Sequence, residues 1–464
     1  MHYGKNSMHG LHVVCRNIRI WFRTVACVLI LLHETCNAQD EANTEGTESS
    51  LAVSIDADRV TQFDCRVAIA GTLTTPATNG TRKWTLSSQA GFSFSQRRLP
   101  SELSGPVALQ ALRQYSKAEV RTSVGKDHET KTTLPRHNSL IHVRGTDAGL
   151  SVAAAAFSLS RGQYDLLQMP CDPLPCSALL PSRNVSVGEK WNSDAWVFPR
   201  LVGFEAVTDQ TLSCELKSLN GQIAEIYFQG EADGAVLGSA SSVELTGMLT
   251  LDTKSRILTR LSCQMKEKRS PGPVSPGLDV SVNASWTQSL AATAKVPQEL
   301  DESLFSRPLA LQTPWRLVFS HSSEWHVFNQ TEGVIMLRQI RNGALISQCN
   351  ISAGVLMPPG QYTPDADFRS DVDTAILTRS GQVTSEETVR DDGQWRMRHV
   401  RASGSVNNVE IIWDYYLCAA ASGEQFSLMF SHSATDNESF GDESTQLLNS
   451  LSLARRRPAL PFRQ

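Results

Sequence analysis

Apolar and polar residues alternate with period two along most of residues 51–295. Phe63, Cys65, Val67 and Ile69 are separated by polar positions, and Trp84, Leu86, Ala90, Phe92 and Phe94 continue the pattern. It returns in residues 212–216, 224–228, 243–251, 257–265 and 280–286. Successive side chains of an extended chain point to opposite faces, so each run carries one apolar face, as half-buried antiparallel strands do. Asn79-Gly80, Asn220-Gly221, Asp233-Gly234, residues 252–255 and the loop 268–277 read as the turns between them. The expectation is a large curved antiparallel sheet. Helix is scarce here. Residues 107–115 after Pro106 predict one helix, and Ser160 with Gln163 gives a capping-box spacing ahead of Tyr164. Leu180-Pro181 through Trp191 reads as the start of a strand after a proline stop.

The C-terminal third is patterned differently. Residues 315–319 and 325–328 are short strand-like pieces, and 334–340 and 345–351 flank an Arg341-Asn342-Gly343 hairpin turn. A helix follows: Thr363 is placed to cap, Pro364 suits the first helical position, and Asp365 and Asp367 suit its positive end. Phe368, Val372, Ala375 and Ile376 share one face of it, and Gly381 ends it. Strands at 383–390, 395–402, 409–418 and 425–431, then a helix at 442–451, complete an antiparallel sheet with helices packed on it. The fold class is therefore α+β and β-dominated, with a β-rich domain at 51–300 and a sheet-plus-helices domain at 301–455.

The first 38 residues change the picture of where this chain works. Arg16, Arg19 and Arg23 precede an eight-residue apolar core, Val25 to Leu32, and Cys36-Asn37-Ala38 offers small residues for cleavage before Gln39. This reads as a secretory signal at 1–38, with Met8 as a second candidate start. The core is short of the ~20 residues a membrane span needs. A retained N-terminal anchor is the alternative, and the only expected tie to a membrane. Residues 39–50 read as a disordered acidic leader and 456–464 as a tail. The expected location is extracytoplasmic, periplasmic or secreted. The whole chain carries −4, but the signal segment 1–38 holds Lys5, Arg16, Arg19 and Arg23 against Glu34, leaving the remainder near −7. No long basic stripe exists, so nucleic acid is not an expected partner.

Of ten cysteines, three lie in the signal segment 1–38. Seven remain, an odd number, in a compartment that permits disulfides. Cys171 and Cys176 bound a short proline-stiffened loop that can close as a local bridge. Cys214 and Cys263 lie on the apolar faces of their strands, either bridged or as buried thiols. Cys349 and Cys418 form the one pair available inside the C-terminal domain.

The chain lacks a Gly-x-Ser-x-Gly elbow, a His-Glu-x-x-His pair and a phosphate-binding Gly-Lys loop. His321 and His326 are poorly spaced for one metal. The acids from Asp365 to Asp373 fail as a calcium loop, with Ser370 and Ile376 where Gly and Glu are needed. Ser431 and His432 are strand neighbours and point apart. Trp413 and Tyr415 share one strand face, as core residues or as the lining of a ligand site. No cofactor or metal is expected. Six Asn-x-Ser/Thr sequons, at Asn79, Asn184, Asn283, Asn329, Asn350 and Asn437, matter only in a eukaryotic host.

The order Trp325-x-Val327-Phe328, Pro358-Pro359-Gly360 before the capped helix, Ile412-Trp413-Asp414-Tyr415-Tyr416-Leu417, Ser422-Gly423 and a closing Leu447-Leu448-x-Ser450-Leu451 resembles the PsbP-like α/β sandwich family over 313–455. That resemblance implies an accessory or binding role without chemistry of its own. The segment Leu179-Leu180-Pro181 to Val187-Gly188-x-x-Trp191 resembles one in uncharacterised exported bacterial proteins. The curved sheet is loosely similar in architecture to envelope lipoprotein carriers. The expected function is a non-enzymatic envelope protein that binds a protein partner or an apolar ligand. The alternatives are a structural or assembly component and a hydrolase of envelope polymers.

Overall fold

A computed structural model describes residues 49–78, 80–291 and 295–455. The leader, nearly all of 39–50, Asn79 and the tail lie outside the described residues. Two compact units divide between Arg307 and Pro308.

The first unit is one twelve-stranded antiparallel sheet. β1 (Val60–Ala77) and β2 (Gly80–Leu99) form a long hairpin. β3 (Gln110–Val124) pairs with β2, and β4 (His128–Thr133) and β5 (Leu140–Thr146) both pair with β3. β6 (Gly149–Ala154) ends this half at a sheet edge. The other half begins at the opposite edge with β7 (Lys190–Asn192) and continues through β8 (Ala206–Asn220), β9 (Ile223–Val236), β10 (Ser239–Asp252), β11 (Ile257–Arg269) and β12 (Gly277–Leu290). The halves join because β12 pairs with β1 from Thr61↔Leu290 to Thr74↔Gly277.

That pairing leaves β6 and β7 at opposite edges of a path eleven strands wide. The chain between them must therefore cross the sheet, ~48 Å at ~4.8 Å per strand. The crossing segment 155–189 carries two short helices, α1 (Arg161–Leu166) and α2 (Pro173–Cys176). The Ser160 cap forms as the sequence predicts: its hydroxyl accepts from the Gln163 N–H, and the Gln163 side chain accepts from the Ser160 N–H. Leu166, Leu167, Cys171, Leu174, Cys176 and Leu179 are all buried against the apolar face. Beyond β7, α3 (Val197–Val202) packs on the same face.

Two sequence expectations fail here for local reasons. Residues 107–115 are not a helix: Gly105–Ala108 is a 3-10 turn, and Gln110 begins β3. Ala111, Leu112 and Arg113 are buried in succession because Leu112, on the face opposite Ala111 and Arg113, packs with Val60, Leu99 and Val296, and this breaks the alternation that would have marked a strand. Asp233-Gly234 is not a turn; it lies inside β9, and Leu237-Gly238, both at positive φ, make the turn. Glycine is needed within β9 because α3 and the residues after it press on it. A Cβ at Gly230 would come within 2.6 Å of the Phe198 ring, and one at Gly234 within 2.8 Å of Phe204.

In the second unit, β13 (Leu309–Gln312), β14 (Leu317–His321) and the late β22 (Ser452–Leu453) form a small sheet. A seven-stranded antiparallel sheet contains β15 (Trp325–Gln330), β16 (Val334–Arg341), β17 (Ala344–Ala353), β18 (Gln382–Asp391), β19 (Trp395–Val406), β20 (Val409–Ala420) and β21 (Gln425–Ser433). β21 returns to pair with β17, so β18 sits at the far edge. α4 (Asp365–Leu377) links β17 to β18 and covers one face with Phe368, Val372 and Ile376. Pro364, not Thr363, occupies its cap, because the Thr363 hydroxyl accepts instead from the Gln425 side-chain amide; Ala375 stays exposed. α5 (Asn437–Phe440) and α6 (Glu443–Asn449) lie on the other face, where Phe440, Leu447 and Leu448 meet Trp325, Tyr416 and Phe430.

Gly230→Ala is expected to destabilise the first unit by about 1–3 kcal/mol through overpacking against Phe198. Ser242→Ala on the exposed face should stay within about 0.5 kcal/mol of the wild type. Urea denaturation of both variants reads the difference; equal midpoints would mean that Phe198 is not seated on β9.

Candidate functional site

The most heavily constrained polar group in the first unit lies under the crossing segment. Arg113 on β3 is fully buried and holds Asp172 in a two-pronged pair, Nη1 to Oδ2 at 2.7 Å and Nη2 to Oδ1 at 2.5 Å. Its Nε donates to Gln96 Oε1 at 2.8 Å. Asp172 also accepts from the Leu174 N–H at 2.9 Å and so caps α2. The guanidinium sits 4.8 Å from the Phe94 ring, which stacks on Phe63, which in turn meets Trp286 edge-on. Trp286 Nε1 donates to the Cys171 carbonyl at 3.1 Å, and the Cys171 N–H donates to Leu201 at 2.8 Å. Burial alone lowers the affinity of Arg113 for its proton, but the adjacent Asp172 carboxylate overrides this, and the guanidinium stays charged. A second buried pair, Arg269 with Glu267 at 2.7 Å, lies on β11, with Ser241 donating to Glu267. These groups are consumed by one another, which suits them to fastening rather than to acid–base exchange.

All seven described cysteines are free and buried. Burial raises the Cys65, Cys176, Cys349 and Cys418 thiols, and lifts Cys214 to about 12. A neutral thiol is a poor nucleophile and a poor metal ligand. None of the three pairings considered from the sequence stands as a disulfide. The Cys176 thiol is turned to the carbonyls of Cys171 and Asp172. Cys214 on β8 and Cys263 on β11 are separated by β9 and β10, ~14 Å across the sheet, against the ~7 Å Cα limit for a bridge. Cys349 and Cys418 face β21 from opposite sides, opposite Phe430 and Phe426, four residues out of step. Instead the structure brings Cys171 Sγ to 3.1 Å from Cys263 Sγ, a contact between residues 92 apart that no sequence spacing signals.

In the second unit, Asp414 on β20 is 3% exposed and collects three cations or donors. His399 Nε2 lies 2.8 Å from Oδ1, Arg401 Nε 3.3 Å from Oδ1, and His432 Nε2 3.8 Å from Oδ2. His399 Nδ1 faces Glu387 at 3.3 Å, and its ring stacks on Tyr416 at 4.4 Å. Burial pushes the Asp414 carboxyl up, but the histidines and Arg401 outweigh it and hold it down at about 2. Both nitrogens of His399 face carboxylates, so neither is left to draw a proton from a nucleophile. The cross-strand register builds this cluster, with Arg401 opposite Asp414 and His399 opposite Tyr416. The sequence reading missed it, because its members are scattered over β18 to β21. Trp413 and Tyr415 lie on the opposite face, 3% and 8% exposed, packed under Phe368, Val372 and Ile376.

The solvent face of β8 to β12 carries a polar groove of about 610 Å³. Two cross-strand rows line it: Thr211, Glu231, Glu244, Lys266 and Ser281, and beside it Asp209, Asp233, Ser242, Lys268 and Asp279. Glu231 stands directly opposite Glu244, and Asp209 opposite Asp233. Like charges in that position repel. Lys266 pairs with Glu244. Among the described residues no group of three or more His, Cys, Asp or Glu is arranged to hold a metal, and no helix is long and apolar enough to cross a membrane.

No protein-family profile and no curated protein matches the chain. Among solved structures, one from Bacteroides thetaiotaomicron overlaps at TM-score 0.23 and 12% identity, covering 32% of this chain and 49% of that one. Lipovitellin overlaps at TM-score 0.28 and 8% identity over 56% of this chain and 29% of its own. The Pseudomonas aeruginosa protein OccK2 overlaps at TM-score 0.12 and 8% identity, covering 80% and 98%. The chain thus spans about half of the first and under a third of the second. Overlaps this loose carry no argument about fold or function.

Arg113→Met strands the Asp172 charge and should cost about 3–5 kcal/mol, whereas Arg113→Met combined with Asp172→Leu should recover most of it; chemical denaturation of the pair measures this. Asp414 titrates below the ~3.9 of an unfolded aspartate. Its contribution is complete above pH ~4 and is lost as pH falls through about 2. Asp414→Asn should be less stable at neutral pH and lose less stability between pH ~4 and ~2, read by thermal melts across that range.

Proposed function

We propose that this chain is an exported, non-enzymatic binding protein that engages a protein partner presenting basic side chains. One observation carries the reading: the apolar face of the twelve-stranded sheet is filled by the protein's own residues, Leu166 to Leu179 and Phe198 to Phe204 among them. An apolar ligand would need that segment to leave, which breaks the buried Arg113–Asp172 pair. The solvent face is open. Its groove sets Asp209 against Asp233 and Glu231 against Glu244, a repulsion that a cationic partner relieves. The secretory character of residues 1–38 supplies the compartment in this reading. The likeness of residues 313–455 to the PsbP-like sandwich family agrees with a binding role, and a seven-stranded sheet covered on both faces supports it.

Native mass spectrometry of the full chain, purified gently from an envelope extract, tests the reading. The expected result is a protein adduct of fixed mass that is lost at raised salt, since exposed charge pairs are screened within ~8–10 Å. Asp209→Asn with Glu231→Gln should weaken it about tenfold without lowering stability. A bare chain mass, or a lipid adduct in place of a protein, contradicts the reading.

A further inference from the structure

We propose that Cys171 and Cys263 join as a disulfide that fastens the crossing segment to the sheet. Their sulfurs stand 3.1 Å apart. Both are buried, 0% and 2% exposed. Cys171 is held in place at every backbone polar group: its N–H by Leu201 of α3 and its carbonyl by Trp286 of β12. It adopts φ +49°, a left-handed conformation that non-glycine residues rarely take. That bend lies one residue before Asp172, which Arg113 anchors, so the backbone reverses where the side chain meets β11. The Cys176 thiol lies against the carbonyls of Cys171 and Asp172, 3.6 and 3.2 Å away.

The chemistry is thiol–disulfide exchange with an external disulfide, such as glutathione disulfide or a protein oxidant. The thiolate of one cysteine attacks a sulfur of the oxidant and expels one thiolate. The second cysteine then attacks the protein sulfur of that mixed disulfide and expels the other. Two protein thiols are oxidised, the external disulfide is reduced to two thiols, and the two protons pass to those leaving groups. The exchange runs during folding, before the segment closes over the sheet and buries both sulfurs.

The test refolds the reduced, denatured full chain in a glutathione/glutathione disulfide buffer. Remaining thiols are blocked with N-ethylmaleimide, and the chain is digested without reductant for mass spectrometry. The expected product is a linked peptide pair carrying Cys171 and Cys263 that disappears on reduction. In the wild type, dithiothreitol should lower the unfolding midpoint by roughly 10 °C, as a bridge closing a long loop predicts. Cys263→Ser and Cys171→Ser should each abolish that response. Recovery of both cysteines as maleimide adducts, or linkage of Cys171 to Cys176, overturns the proposal. If a variant does not fold, the wild-type peptide map decides alone.

Discussion

The pairing of β1 with β12 is the constraint on which the first unit depends. It joins two antiparallel meanders through their first and last strands, and so sends β6 and β7 to opposite edges. Connections in sheet proteins run over a face, because a strand edge offers no route through. The connection here must therefore traverse the whole sheet. It takes the apolar face because that face must be buried in any case. A single pairing thus accounts for a large sheet whose apolar face receives the chain's own crossing segment. The second unit repeats the device on a smaller scale: β21 pairs with β17, β18 is displaced to the far edge, and α4 crosses a face to reach it.

Burial alone would let such a segment slide, since apolar contacts are non-directional. The ionic and glycine contacts fix its register. Arg113 with Asp172 demands one alignment, because a misplaced partner would leave a charge buried and unpaired. Phe198 and Phe204 settle where β9 carries Gly230 and Gly234. Asp414 plays the same part in the second unit, gathering His399, Arg401 and His432 across three strands. In both units the buried charges hold the fold.

What the sequence showed was local. The strand alternation, the Ser160 cap, the Asn342-Gly343 turn and the Phe368–Val372–Ile376 face each arise within a few residues, and each is in place. Errors arose where tertiary contact overrides local pattern. Gly234 looked like punctuation but makes room for Phe204. Residues 107–115 looked helical because Val60, Leu99 and Val296 cover Leu112 on the face opposite Ala111 and Arg113, so that three successive side chains are buried. The site residues were least legible. Arg113 and Asp172 are 59 residues apart, and Cys171 and Cys263 are 92 apart; only the sheet order brings either pair together.

Residues 159–204 are a permanent part of the first unit's core, and hydrogen–deuterium exchange reads this amide by amide. The amides of Cys171, Leu174 and Phe204 donate within the described structure and should exchange as slowly as those of β1 and β12. Exchange of these amides within seconds, while β1 and β12 stay protected, would mean that the segment leaves the face readily, and would contradict the account.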